Sequence, residues 1–231
     1  MRVIGILGGM SAASSALYYA ELNALVQARL GGLRSANLLL RSVDFAPIAA
    51  LQAKGDWDAA AAVLGGEAQA LQAGGAQILI LASNTMHKVA DQIMQKVDLP
   101  FVHIADATAA AIVQAGFRRP GLMATAFTME QGFYTGRLEA MGLQPVIPQA
   151  ADRAVCHQVI YEELCRGEVR AESRQQFEVI AARLVAQGAD CLILGCTEVG
   201  MLLGAHNVGV AVFDTVKLHC AAALHLAMAA R

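Results

Sequence analysis

The sequence predicts an α/β fold of two similar parallel-sheet domains related by a pseudo-twofold axis, with the active site in the cleft between them. Three observations carry this expectation. Gly75-Ala76-Gln77-Ile78-Leu79-Ile80-Leu81-Ala82-Ser83-Asn84-Thr85 returns 113 residues later as Gly188-Ala189-Asp190-Cys191-Leu192-Ile193-Leu194-Gly195-Cys196-Thr197-Glu198. Gly5-Ile6-Leu7-Gly8-Gly9 is answered by Gly121-Leu122-Met123-Ala124-Thr125 after 116 residues, and Ile104-Ala105-Asp106 by Val212-Phe213-Asp214 after 108. Each copy of the long repeat is a Gly-Ala turn, four consecutive apolar residues and a compact polar cluster, the pattern of a strand buried on both faces. Drift in the offsets reads as loop insertion in a shared framework. The expected domains are 1–104 with 216–231, and 105–215.

At 231 residues the chain suits two units that can each bury a core. Hydrophobic residues make up 56% and mean hydropathy is +0.47. Yet no run approaches the roughly 18 apolar residues of a spanning helix, so the excess belongs to Ala-rich helices and buried strands. Seventeen basic residues against nineteen acidic, with no run of either sign, leave no footprint for nucleic acid or an anionic membrane. A small-molecule partner is expected. The start of the chain lacks a signal-peptide core, which makes the cytoplasm the expected compartment. Five cysteines without Cys-x-x-Cys spacing point to neither a disulfide framework nor a zinc knuckle.

In chain order, residues 2–7 are a short apolar strand ending in a glycine turn, followed by a helix that stops at Gly31-Gly32. Residues 36–45 give a second strand ending at Ser42 and Asp44, and 57–75 an amphipathic helix leading to the repeated strand. Pro100-Phe101-Val102-His103-Ile104 reads as a fourth strand closing on Asp106. Alternating helices and short buried strands imply parallel order with right-handed crossovers. In the second half, Thr128 and Gln131 have the form of a capping box opening a helix that carries Phe133, Leu138 and Met141. Pro145-Val146-Ile147-Pro148 is a short strand, and residues 177–184 belong to the helix before Gly188.

The two polar clusters fall at the carboxyl ends of equivalent strands, where open parallel sheets bind ligands. A substrate between the halves would meet Ser83 on one face and Cys196 on the other. Opposed proton-transfer groups suit inversion at a carbon acid, one removing a proton and the other returning it to the opposite face. Cysteine can serve because its pKa, near ~8.5, is readily lowered; serine is a far weaker acid. His103, His157, His206 and His219 show no ligand spacing and read as structural or exposed, and Cys156, Cys165, Cys191 and Cys220 as non-catalytic thiols.

Gly5-Ile6-Leu7-Gly8-Gly9-Met10, Ser42-Val43-Asp44-Phe45, Asn84-Thr85-Met86-His87, His103-Ile104-Ala105-Asp106-Ala107-Thr108, Thr125 with Phe127-Thr128-Met129-Glu130-Gln131, and Leu194-Gly195-Cys196-Thr197-Glu198 together resemble the aspartate/glutamate racemase family, in its order and over nearly the whole chain. The resemblance implies racemisation of an acidic amino acid without pyridoxal phosphate or metal, two cysteines working on opposite faces of the α-carbon, and a homodimer. The second family cysteine falls on Cys196, serving the L-enantiomer, and the first on Ser83. Met10, Ser42, Asn84, Thr85, Thr125, Thr128 and Thr197 fall at substrate-binding positions, with His87 and Glu198 tuning the acid/base pair. Departures from the family pattern are Ala12 and Ala13, where a bulky and an acidic residue are usual, Ala124 in place of glycine, and Cys165 at the position of a lysine. With one thiol, two other activities on this framework stay open: decarboxylation of a malonate, and amino-acid binding without catalysis.

Overall fold

The computed structural model describes residues 1–229. The chain forms two compact units, Met1–His103 with the segment beginning at His219, and Ile104–Leu218. Unit 1 contains β1 (Ile4–Gly8), α1 (Ala12–Leu30), β2 (Leu38–Ser42), α2 (Phe45–Lys54), α3 (Trp57–Ala73), β3 (Ile78–Leu81) and α4 (Ala90–Met94). Unit 2 contains α5 (Ile104–Gln114), β4 (Pro120–Met123), α6 (Ala126–Glu130), α7 (Thr135–Ala140), α8 (Ala150–Glu162), α9 (Ala171–Ala186), β5 (Cys191–Leu194), α10 (Ala205–Val208) and β6 (Ala211–Asp214). The chain leaves unit 2 within α11 (Thr215–Met228). Among the described residues no helix is long and apolar enough to cross a membrane.

Both sheets are parallel. Unit 1 has the order β2-β1-β3, with Ile4 opposite Leu38 on one side and Ile78 on the other. Unit 2 has the order β4-β5-β6, with Leu122 opposite Ile193 and Ile193 opposite Phe213. Isolated parallel bridges extend each: Phe101 pairs with Leu79, and Val146 with Gly121. The full orders, β2-β1-β3-Phe101 and Val146-β4-β5-β6, therefore match position for position.

The two strands expected at 100–104 and 145–148 are thus reduced to single bridges, and proline is the reason. Pro100 offers its carbonyl to Leu79 N at 2.9 Å but has no N–H to give. Val146 exchanges bonds with Pro120 O and Leu122 N, both at 2.8 Å, while Pro145 and Pro148 on either side remove the donors that would lengthen the ladder. Ile104-Ala105-Asp106 is also not a strand: it opens α5, whereas Val212-Phe213-Asp214 lies in β6. The expected single helix after Thr128 is two, α6 and α7, because Gln131 turns extended (φ −98°, ψ 119°). Its cap is Thr125, not Thr128, and its side chain accepts from Thr128 N.

The β1, β3, β4 and β5 segments are buried throughout. Hence they read as unbroken apolar runs rather than alternating ones. The repeated glycines have a packing reason. A Cβ on Gly5 would lie 2.7 Å from Ala76 Cβ, and one on Gly121 would lie 2.7 Å from Leu192 and 3.2 Å from Ala189 Cβ. Each Gly-Ala turn thus presses against the neighbouring strand where only glycine fits. In unit 1, Leu7, Leu79 and Leu81 pack with Ala60, Leu64 and Ala68 of α3. In unit 2, Leu122, Leu192 and Ile193 pack with Phe177, Ile180 and Leu184 of α9.

Candidate active site

In unit 1 the chain leaves β3 through Ala82 and Ser83 into a 3₁₀ turn, Thr85–Val89. Ala82 N still bonds Leu7 O at 2.9 Å, and Ser14 Oγ of α1 donates to Ala82 O at 3.1 Å, so both flanking elements fix where Ser83 emerges. Ser83 is buried, and its Oγ accepts from Met86 N at 3.4 Å. Asn84, Thr85 and His87 are buried beside it. The carbonyl of Ser83 lies 2.7 Å from His87 Nδ1. A carbonyl only accepts, so Nδ1 carries the proton. Met10 sits in the apolar core of the unit, and Ser42 is exposed at the end of β2, opposite Gly8.

Behind Ser83, His87 joins a group of rings that sequence reasoning did not bring together. His87 packs on His103 with centroids 4.5 Å apart, and on His219 at 5.7 Å. His219 is fully buried; its Nε2 lies 2.8 Å from Val102 O and its Nδ1 2.7 Å from Tyr18 Oη. Its Nε2 therefore donates to the carbonyl, and Nδ1 accepts from Tyr18. Burial lowers the His219 pKa to about 4, against a smaller opposing effect of the Val102 carbonyl, so the ring is neutral near pH 7. With both ring nitrogens of His219 and Nδ1 of His87 committed, the three histidine rings form a packed wall. Among the described residues no group of His, Cys, Asp or Glu is placed to hold a metal ion. No spacing rule links Tyr18, His103 and His219, which is why only folding reveals them.

In unit 2, Cys196 leaves β5 after Gly195. A Cβ on Gly195 would fall 2.6 Å from Leu122 and 3.0 Å from Ala124 Cβ, so glycine lets the end of β5 close on the end of β4. That brings Cys196 out beside the strand that carries Thr125. Thr125 and Thr128 are buried with their hydroxyls 3.1 Å apart. His157 Nδ1 of α8 accepts from Ala126 N at 3.3 Å.

The Cys196 thiol is 8% exposed and donates to Glu198 Oε2 at 3.0 Å; the Thr197 hydroxyl donates to the same oxygen. Cys165 Sγ, from the 3₁₀ turn Leu164–Arg166, donates to Glu198 Oε1 at 3.8 Å. Burial pushes the Cys196 thiol well above the usual thiol range, and the Glu198 carboxylate, then the charge of an ionised Cys165, push the same way. The Glu198 backbone N–H acts against them. Burial first, then Glu198, also raises Cys165; Tyr161 on α8 is raised by burial and by Cys165, Cys196 and Glu198. The cluster is therefore a protonated thiol held on a carboxylate.

Ser83, Asn84, Thr85 and His87 thus follow β3, and Cys196, Thr197 and Glu198 follow β5, whereas Thr125 and Thr128 follow β4, Ser42 ends β2 and Met10 lies in the core. Met10, Ser42, Ser83, Asn84, Thr85 and His87 belong to unit 1, and Thr125, Thr128, Cys196, Thr197 and Glu198 to unit 2. The Asp/Glu/hydantoin racemase family model matches residues 7–223. Three solved structures are similar. A candidate Asp/Glu racemase from Yersinia pestis is 46% identical, covering 99% of this chain and 100% of that one, with a TM-score of 0.90. An aspartate racemase homologue from Pyrococcus horikoshii OT3 is 30% identical over 99% and 100%, with a TM-score of 0.85. The aspartate racemase of Picrophilus torridus, 20% identical over 98% and 94%, shares the fold with a TM-score of 0.83. With paired parallel sheets, a thiol–carboxylate strand end and a match from end to end, this chain belongs to the Asp/Glu/hydantoin racemase family.

Proposed function

We propose that the protein racemises aspartate, glutamate or a related α-amino acid without a cofactor, with Cys196 as the main acid/base and Ser83 in place of the second thiol. The single observation that carries this reading is the Cys196–Glu198 bond at the end of β5, which gives the thiol proton an acceptor inside the protein. Loss of that proton to water leaves a thiolate beside the Glu198 carboxylate, and the thiolate takes the α-proton of the L-enantiomer. The proton that completes inversion comes from the Ser83 side. There a hydroxyl replaces a thiol, so starting from the D-enantiomer is the slow direction. The equilibrium between enantiomers is unaffected, since a catalyst lowers both barriers together. Thr125, Thr128 and Thr197, with Asn84 and Thr85, supply hydroxyl and amide groups for the substrate carboxylates. A homodimer belongs to the same reading.

The test is α-proton exchange in deuterated water, followed by NMR from each enantiomer of aspartate and glutamate. Exchange from an L-substrate that disappears in Cys196→Ser supports the reading, and absence of exchange from any α-amino acid in a panel overturns it. A second reading is favoured by the raised pKa of Cys196, since a thiol held protonated suits a proton donor. Such a group would protonate the enolate left when a disubstituted malonate loses carbon dioxide. Release of carbon dioxide without α-exchange would select this decarboxylase.

A further inference from the structure

We propose that Cys165 is a positioning residue for Cys196, acting through the Glu198 carboxylate. Its purpose rests on the racemase reading, but its test does not. Cys165 and Cys196 come from different elements, the turn after α8 and the end of β5, and converge on opposite oxygens of one side chain. Glu198 is 1% exposed. An ionised carboxylate accepts only, and a buried one needs donors on both oxygens. Cys196 and Thr197 meet Oε2, and Cys165 meets Oε1. The titratable groups around the carboxylate include Cys196 from the strand end, Cys165 from the turn, and Tyr161 from α8. An ionised Cys165 would raise the Cys196 pKa, but burial keeps Cys165 protonated, so it meets the carboxylate as a neutral donor and not as a third acid.

This arrangement has a definite consequence for Cys196. Ionising its thiol puts a second negative charge beside Glu198, and each donor on the carboxylate lowers the cost of that pair of charges. Taking the S–H from Oε1 leaves the same charges with one donor fewer, so thiolate formation at Cys196 moves to higher pH. A serine at position 165 keeps an O–H in that place. The sequence flags this position as the one where cysteine replaces a lysine in the resemblance; the structure assigns the replacement a partner.

The experiment is the pH dependence of iodoacetamide alkylation at Cys196, resolved by peptide mass spectrometry, on the full chain carrying Cys165→Ala, Cys165→Val or Cys165→Ser. Valine fills the space without a donor and covers the case in which alanine loosens the fold. The Cys196 midpoint should rise by about one pH unit in alanine or valine, the weak end of a hydrogen bond to a charged group. In Cys165→Ser it should stay at the wild-type value. Alanine and valine curves that overlay wild type overturn the proposal; equal shifts in all three also overturn it, because they would report packing and not the donor. α-Proton exchange measured on the same samples reads the racemase proposal separately. Its absence in the wild type leaves the alkylation result to decide Cys165.

Discussion

At the end of β3, Ser83 offers a hydroxyl that caps its own turn and a carbonyl bonded to a histidine, with two further histidine rings behind it. Two and three residues past the equivalent strand β5, a thiol and a hydroxyl share one buried carboxylate. The framework is the same in both units: sheet order, both-face burial and a glycine pressed against a Gly-Ala turn. The difference lies in two or three residues after each strand, together with what packs behind them. The strand end sets where a group stands, and its neighbours set which proton it can move. One end is backed by a packed wall of rings, and the other holds a proton against a charge.

The largest effect is expected at the thiol end. Cys196→Ser should lower α-proton exchange by ~10²–10⁴-fold, the usual contribution of a positioned acid/base. Circular dichroism should show an unchanged fold. Residual exchange above a tenth of wild type would mean that the carboxylate end is not the working end.

Within the ring wall behind Ser83, His219 should announce itself in stability. The His219 pKa is lowered from 6.5 to about 4 in the folded protein. The unfolded chain therefore binds the extra proton first as pH falls. Its contribution to stability is fully present above pH 6.5 and is lost between there and pH 4, by about 3 kcal/mol over the window. Urea denaturation at pH 7 and pH 4.5 should show this loss in wild type and a flatter dependence in His219→Gln. Parallel pH dependences in the two proteins would show that other groups carry the acid sensitivity.

Ser83→Cys probes the comparison directly, by giving the β3 end the residue type of the β5 end. It replaces a hydroxyl by an acid of pKa near ~8.5. Initial racemisation from a D-substrate should rise at least about tenfold, with exchange from the L-substrate changing less; this gain is about 1.4 kcal/mol in the barrier. A folded mutant that binds the D-enantiomer without any gain would place Ser83 outside proton transfer and favour the decarboxylase.

Much of this was legible in the sequence, for physical reasons that also mark where legibility ended. Ile78–Leu81 and Cys191–Leu194 are continuous apolar runs because both faces are covered, so their ends, and with them Ser83 and Cys196, can be located by eye. The 100–104 and 145–148 segments have the same apolar character, and there the missing proline N–H groups outweigh it. The ring wall depends on residues 18, 87, 103 and 219, brought together by tertiary packing that leaves no local pattern. Cys165 was visible as a departure from the resemblance, whereas its contact with Glu198 had no sequence signal.

The smallest effect separates a residue that only caps from one that also serves the site. Each unit closes its first strand with the same device: Ser11 Oγ accepts from Ser14 N at 3.2 Å to start α1, and Thr125 Oγ1 accepts from Thr128 N at 3.3 Å to start α6. Losing such a cap costs about 0.5–2 kcal/mol. α1 has 19 residues packed along the unit 1 sheet, whereas α6 has five. Ser11→Ala should therefore fall toward the upper part of that range, and Thr125→Ala toward the lower part, because less structure depends on the shorter helix. Activity should divide them the other way. If Thr125 meets a substrate carboxylate, Thr125→Ala raises KM for L-aspartate or L-glutamate several-fold, about 1 kcal/mol for one hydrogen bond, while Thr125→Ser restores it. Urea denaturation and initial-rate measurements on the three variants supply both numbers. An unchanged KM in Thr125→Ala, with stability reduced, would make Thr125 a cap and nothing more, and would leave substrate binding in unit 2 to Thr128 and Thr197.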